Sequence, residues 1–273
     1  MKRIIKFILS IIIVITFFTP VLYTISHSFM DSVEVSKSKS FIPFAFNIQQ
    51  YIKLVFEQPE LFKMLINSVF IVALIIVGQI VLSALTAYYF AFRKNKLSNI
   101  IFIIYIFVML LPLQITLIPN VIFFNSVENS MGLKMFDTYM PIILPGIFST
   151  LGVFFLKQFY QNIPQNLINI AKIDGASNFQ ILYKVIIPYS KNAIMALALL
   201  IFVENWNMIE QPLIFLNSMS KMPASIFLNT LYKANKEVFY ASSIIFMFPV
   251  LTLVINNIDK LKSLISISGG KKI

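Results

Sequence analysis

Pro164-Gln-Asn-Leu167-Ile-Asn169-Ile-Ala171-Lys-Ile173-Asp174-Gly175-Ala176-Ser177 is a polar stretch that leads into Val185-Ile-Ile187-Pro188, caught between apolar runs at 139–159 and 192–215. The neighbouring runs decide the fold. About 20 apolar residues suffice to cross a bilayer as a helix, and six such runs occur, at roughly 4–26, 65–92, 98–119, 139–159, 192–215 and 238–258. The second and fifth are longer than needed, which implies tilt or extension past the bilayer. Residues are 58% hydrophobic and 12% charged, against a charged share of roughly 25% in soluble domains. So little chain lies between the runs that no separate soluble domain fits. The expected architecture is one all-α integral membrane domain over 1–273 with six transmembrane helices, an external loop at 28–63 and a cytoplasmic loop at 161–190.

The net charge of +11 is a pattern of topology. With the N-terminus inside, the inner segments hold Lys2, Arg3, Lys6, Arg93, Lys94, Lys96, Lys157, Lys172, Lys184, Lys191, Lys260, Lys262, Lys271 and Lys272, against Asp174 and Asp259. The outer loops hold Lys37, Lys39, Lys53, Lys63, Lys134, Lys221, Lys233 and Lys236, nearly balanced by acids. An excess of Lys and Arg on one side is the positive-inside pattern. An even number of spans then leaves both termini in the cytoplasm, and the charge is not a nucleic-acid footprint. The N-terminal run lacks a small-x-small cleavage site and is broken by Thr19-Pro20, so it reads as a retained span rather than a cleaved leader.

Several chemistries are excluded by count. There is no cysteine and one histidine, His27, so thiol catalysis, disulfides and multi-imidazole metal sites are ruled out. His27 reads as an interfacial or loop residue. No Gly-x-x-x-x-Gly-Lys-Ser/Thr loop occurs; the tail Gly269-Gly270-Lys271-Lys272-Ile273 lacks the hydroxyl and a following helix. The chain does not hydrolyse ATP by itself. Ser32 to Ser40 reads as a loop, and Asn47 to Phe56 has the spacing of a short amphipathic helix. Pro112, Pro119, Pro141 and Pro145-Gly146 interrupt the third and fourth runs. Proline in a span frees carbonyls that neighbours or water must satisfy, so such helices either line a cavity or are simply bent. No internal repeat is visible.

The loop at 161–190 reads as a rigid knob. Pro164 suits the first position of a helix, and Leu167, Ile168, Ala171 and Ile173 form a short apolar face. Asp174-Gly175 ends that helix, Gly supplying a positive φ. Ser177 caps a second helix that runs to Ile187, with Pro188 closing it. A knob of this kind transmits a push to the spans attached to it; an ordinary helical hairpin is the plain alternative.

The knob resembles the EAA loop of the permease subunits of ABC importers: Ala171, Asp174, Gly175, Ala176, Ser177 and Pro188 match without gaps, while Asn169 and Ile170 replace the usual Glu-Ala. The missing Glu removes an ion pair that the family makes with its ATPase. Asn67-Ser68-Val-Phe-Ile-Val72-Ala73-Leu74, Leu111-Pro112-Leu-Gln114-Ile-Thr116-Leu-Ile118-Pro119, Asp137-Thr138-Tyr139, Asn205-Trp206-Asn207 and Gln211-Pro212-Leu213 are similar to stretches of the carbohydrate-import branch, in the same order. The resemblance implies a type I ABC importer permease fold in a bacterial inner membrane. It also implies a second homologous permease, two ATPase subunits and an external solute-binding protein as partners, with no cofactor in this chain because the ATPases bind ATP. Leu167, Asn169, Ala171, Asp174, Gly175, Ala176, Ser177 and Pro188 are then the ATPase-coupling residues.

Polar groups inside the fifth run are the candidates for a solute path. A carboxylate there costs roughly 2.5–3.5 kcal/mol on insertion scales and should face a cavity or a partner. Glu204, Asn207 and Gln211 share a helical face by spacing, Trp206 adds an apolar ring, and Gln114 is a further candidate; Gln79 reads rather as an interhelical hydrogen bond. Three alternatives remain open: a permease of the same architecture for a non-sugar solute, a proton-coupled secondary transporter using Glu204 or Glu210, and a non-transport scaffold.

Overall fold

A computed structural model describes residues 2–37, 40–93 and 95–258. Lys94, Ser38-Lys39 and the tail with Asp259, Lys260, Lys262 and Gly269–Ile273 lie outside the described residues, and with them part of the charge pattern. Among the described residues there is helix and irregular chain but no strand. Four helices are long and apolar enough to cross a membrane, Arg3–His27, Glu60–Phe92, Met140–Tyr160 and Lys236–Asn256, and the count rises to six if each of two bent pairs forms one span.

The third and fifth runs depart from their expected form. The run at 98–119 is a helix, Lys96–Met109, followed by a second, Gln114–Met131, turned through 101°. Proline disfavours helical backbone in the residue before it, so Leu111-Pro112 breaks the run; Pro112 is extended, with φ −61 and ψ 142, and caps the next helix. The run at 192–215 stops at Trp206, and a separate turn, Glu210–Phe215, follows. A helix continued through this point would set the Pro212 ring against the carbonyl of Met208; the break puts Pro212 in a first turn, where no N–H is required. The chain at Ser32, read as loop, is instead helical over Ser32–Lys37, while the expected amphipathic helix is present at Gln49–Glu57.

The described residues divide into two compact units, 2–66 with 222–251, and 67–221 with 252–258. In the first unit the N-terminal helix exposes Ile4 to Phe18 along its length, as a lipid-facing span should. At its end His27 is buried, stacked on Tyr23 at 3.7 Å and 5.1 Å from Tyr240. It is thus a packed residue rather than a loop one. Glu237 ties this unit together, accepting from Ser32 Oγ and facing Lys53 Nζ at 3.6 Å.

In the second unit glycines set the helix spacing. A Cβ on Gly78 would stand 2.6 Å from Ile147, and one on Gly152 2.2 Å from Ser83 Oγ. Glu60–Phe92 therefore presses backbone-close against the Met140–Tyr160 span, as small residues allow in lipid. Thr150–Tyr160 packs in turn on Lys96–Met109 and Lys191–Trp206, and Glu210–Phe215 packs on Met140–Ile147. Phe90, Phe102 and Val153 form the apolar centre of this packing. These contacts hold the two regions that carry polar chemistry, both in the second unit.

Candidate functional site

The first region is the knob. Pro164 is the residue before the helix Gln165–Ile173 rather than its first member. The helix ends in a Schellman motif: Gly175 N–H donates to Lys172 O at 3.1 Å and Ala176 N–H to Ala171 O at 3.0 Å, with Gly175 at φ 78. That is the backbone geometry in which glycine is favoured. Ser177 then caps the second helix by a full capping box, its N–H donating to Gln180 Oε1 at 2.8 Å and its Oγ accepting from Gln180 N–H at 3.3 Å. Both ends of the two-residue joint are thus fixed by hydrogen bonds.

The second helix does not end at Pro188. It widens to π geometry over Leu182–Ile186, then closes with Ile187–Tyr189, and the chain bends by 77° into Lys191–Trp206. The wider turn gives room for a ring that an α-helix would force against the carbonyl four residues back. The apolar face expected on the first helix is split. Ile168, with Ile181, Leu182 and Ile186, packs inward, whereas Leu167 and Ile173 point outward. Asn169, Asp174, Gly175, Ser177 and Pro188 are exposed; Ala171 and Ala176 are half-buried. The outward surface carries Ile173 at 84% exposure, Phe179 at 69% and Tyr183 at 65%. Exposed large apolar groups on a rigid support are the material of which interaction surfaces are made.

The second region is a cleft at the break of the fifth span. A space of about 410 Å³ is lined by Gln114, Glu204, Asn205, Asn207, Glu210 and Gln211, with Met208 and Ile209. It adjoins a second of about 530 Å³ that shares Glu204, Asn205 and Gln211 and reaches Gln79, Thr116, Asn120 and the Pro145–Leu151 segment. The proline-bearing fourth span therefore lines this cleft. Because the helix stops at Trp206, Glu204, Asn207 and Gln211 do not share one helical face; the break itself brings them to one cleft. Gln114 Nε2 donates to Glu210 at 3.1 Å. Trp206 is not in the lining: it is buried and stacked on Phe202 with centroids 5.0 Å apart. Sequence reasoning missed Asn120, although Thr116 and Asn120 stand four residues apart, a same-face spacing on a helix.

In a third feature the sequence marked Asp137 by resemblance alone and gave no sign of its partner, Lys221. Asp137, at φ 58, is one of the few residue types that adopt the left-handed region. Its carboxylate faces Lys221 Nζ at 2.8 Å and accepts from Ser218 N–H, Ser218 Oγ and Asn217 N–H at 2.8–3.1 Å. Its own N–H donates to Phe215 O at 2.8 Å. The Lys221 ammonium first, and then the Ser218 donors, hold the Asp137 carboxyl well below the usual range. This latch joins the loop before the fourth span to the loop after the fifth.

Residues 79–261 match the family described as binding-protein-dependent transport system inner membrane component; knob, cleft and latch all fall within that stretch. The arabinooligosaccharides transport system permease protein AraQ of Halalkalibacterium halodurans is 28% identical over 242 residues, covering 86% of this chain and 85% of that one. The sn-glycerol-3-phosphate transport system permease protein UgpE of Shigella flexneri is 30% identical over 154 residues, 56% of this chain and 53% of that one. A chain in the crystal structure of a bacterial ABC transporter involved in the import of the acidic polysaccharide alginate superposes with a TM-score of 0.82 at 19% identity, over 95% of both chains.

Proposed function

The chain belongs to the binding-protein-dependent transport system inner membrane components, and from that premise we propose that it carries a sugar or oligosaccharide inward, driven by ATPase subunits docked on the 164–188 knob. The family assigns it the membrane-spanning role, with ATP hydrolysis and solute capture left to other subunits. The observation that carries the coupling assignment is the doubly capped joint at Asp174–Ser177 beneath an exposed apolar surface. Leu167, Asn169, Ala171, Asp174, Gly175, Ala176, Ser177 and Pro188 belong to that coupling element. ATP-driven closure of two ATPase subunits moves the knob as a body, and the 77° joint to Lys191–Trp206 passes the movement to the span that bears Glu204.

The solute path runs along the polar cleft, with Gln114, Glu204, Asn207 and Gln211 as lining groups and Trp206 as packing beneath them. A second, related permease supplies the opposite wall. Both termini lie in the cytoplasm of a bacterial cell, by the excess of Lys and Arg on the inner segments, and the solute-binding protein docks on the face that bears the Asp137 latch. AraQ, a relative over most of the chain, is named for arabinooligosaccharides, which supports the sugar class. The test is uptake of arabinotriose into proteoliposomes holding the native complex with its binding protein. Uptake that requires enclosed ATP supports the reading. Uptake that ignores ATP and collapses with the proton gradient refutes it in favour of a proton relay through Glu204 or Glu210.

A further inference from the structure

We propose that the cleft admits only solutes without negative charge, and that Glu204 and Glu210 set this limit. The inference rests on the reading of the cleft as the solute path and adds the charge class of the solute. Both carboxylates line the smaller space, and Glu204 stands where the two spaces meet. The remaining polar lining that this chain's described residues supply is amide and hydroxyl, including Gln79, Gln114, Thr116 and Asn120, and among the described residues it holds no lysine, arginine or histidine.

Neither carboxylate has a cation beside it among the described residues. The two ion pairs there lie elsewhere, between Lys53 and Glu237 and between Lys221 and Asp137. Glu210 accepts from the Gln114 amide at 3.1 Å, a bond that orients the carboxylate. An anion a few ångström from such groups is repelled, while hydroxyls donate charge-assisted hydrogen bonds to them. The same walls that hold a neutral polyol therefore reject its acidic counterpart, by about tenfold or more at the effective dielectric near a protein surface. Transporters named for sn-glycerol-3-phosphate and for alginate handle anions; this cleft is built against them.

The chain has no cysteine, so one thiol introduced at Asn207→Cys reports the potential of the cleft without a known solute. In the purified complex, labelling of this chain by trimethylammonioethyl and sulfonatoethyl methanethiosulfonate is followed by mass spectrometry, and the rate ratio is compared with that of a free thiol. We expect the cationic reagent to be favoured at least about tenfold over the free-thiol ratio. Adding Glu204→Gln and Glu210→Gln should bring the ratio back toward the free-thiol value. A ratio equal to that of the free thiol, or one unmoved by both glutamine substitutions, overturns the proposal. So does uptake of trigalacturonate as fast as arabinotriose in proteoliposomes; if neither is carried, the thiol ratio decides. Loss of ATP dependence with the thiol ratio intact refutes the importer reading and leaves the charge of the cleft standing.

Discussion

Gly175 sits at φ 78, and a Cβ added there would meet no atom within 4 Å, so substitutions act through the backbone alone. A non-glycine residue in the left-handed region costs roughly 1–2 kcal/mol, a factor of about 5–30 in the population of the turn. Asparagine tolerates the region better than alanine, and valine worst among these. Proline at 175 requires a negative φ and removes the N–H that donates to Lys172 O, at about 3 kcal/mol or more. Coupling should therefore fall in the order Gly, Asn, Ala, Val, Pro, with Gly175→Pro abolishing it while membrane insertion stays normal. The assay is the fraction of ATPase subunit retained on the tagged chain, paired with ATP-driven uptake of arabinotriose. Wild-type retention and uptake in Gly175→Pro would rule out a coupling role for this turn, as would a series ordered by side-chain size rather than by ease of positive φ.

Three further outcomes are expected. Gly152→Ala places a methyl 2.2 Å from Ser83 Oγ and should destabilise the second unit by about 1–3 kcal/mol; an unchanged thermal melt of the detergent-solubilised complex would contradict the close helix contact. Because the folded Asp137 carboxyl is held below its ordinary range, its stabilisation is full at neutral pH and is lost as acid takes the pH below about 4. The gap in melting temperature between wild type and Asp137→Asn should thus be widest near neutrality and close on acidification, and a gap that persists at the lowest pH counts against the latch. Glu204→Ala should change arabinotriose uptake kinetics, and unaltered kinetics and selectivity would remove Glu204 from the path.

Local features were legible in the sequence because their causes are local. Gly175 after Asp174 and Ser177 three residues before Gln180 carry their own backbone instructions, and both the turn and the capping box follow. The lengths of the apolar runs located the spans, but hydrophobicity is blind to where a continuous run turns. The bend at Leu110–Pro112 and the break after Trp206 depend on proline sterics that act only once a helix tries to pass through them. Helical spacing grouped Glu204, Asn207 and Gln211 on a face that does not exist, yet the break assembles them in the same cleft. Trp206 shows the opposite: a ring that looked like a binding platform packs on Phe202 instead. The Asp137–Lys221 pair joins residues far apart in the chain, and no pattern in one sequence announces a contact of that range.

Photo-crosslinking from position 179, exposed on the knob, tests most directly whether an ATPase docks there. A benzophenone amino acid replaces Phe179 in the otherwise intact complex in its native membrane, and the adduct is identified by mass spectrometry. A crosslink to an ATPase subunit is expected, strong in the wild-type background and lost with Gly175→Pro. Crosslinking only to lipid or to a second copy of this chain would contradict that docking.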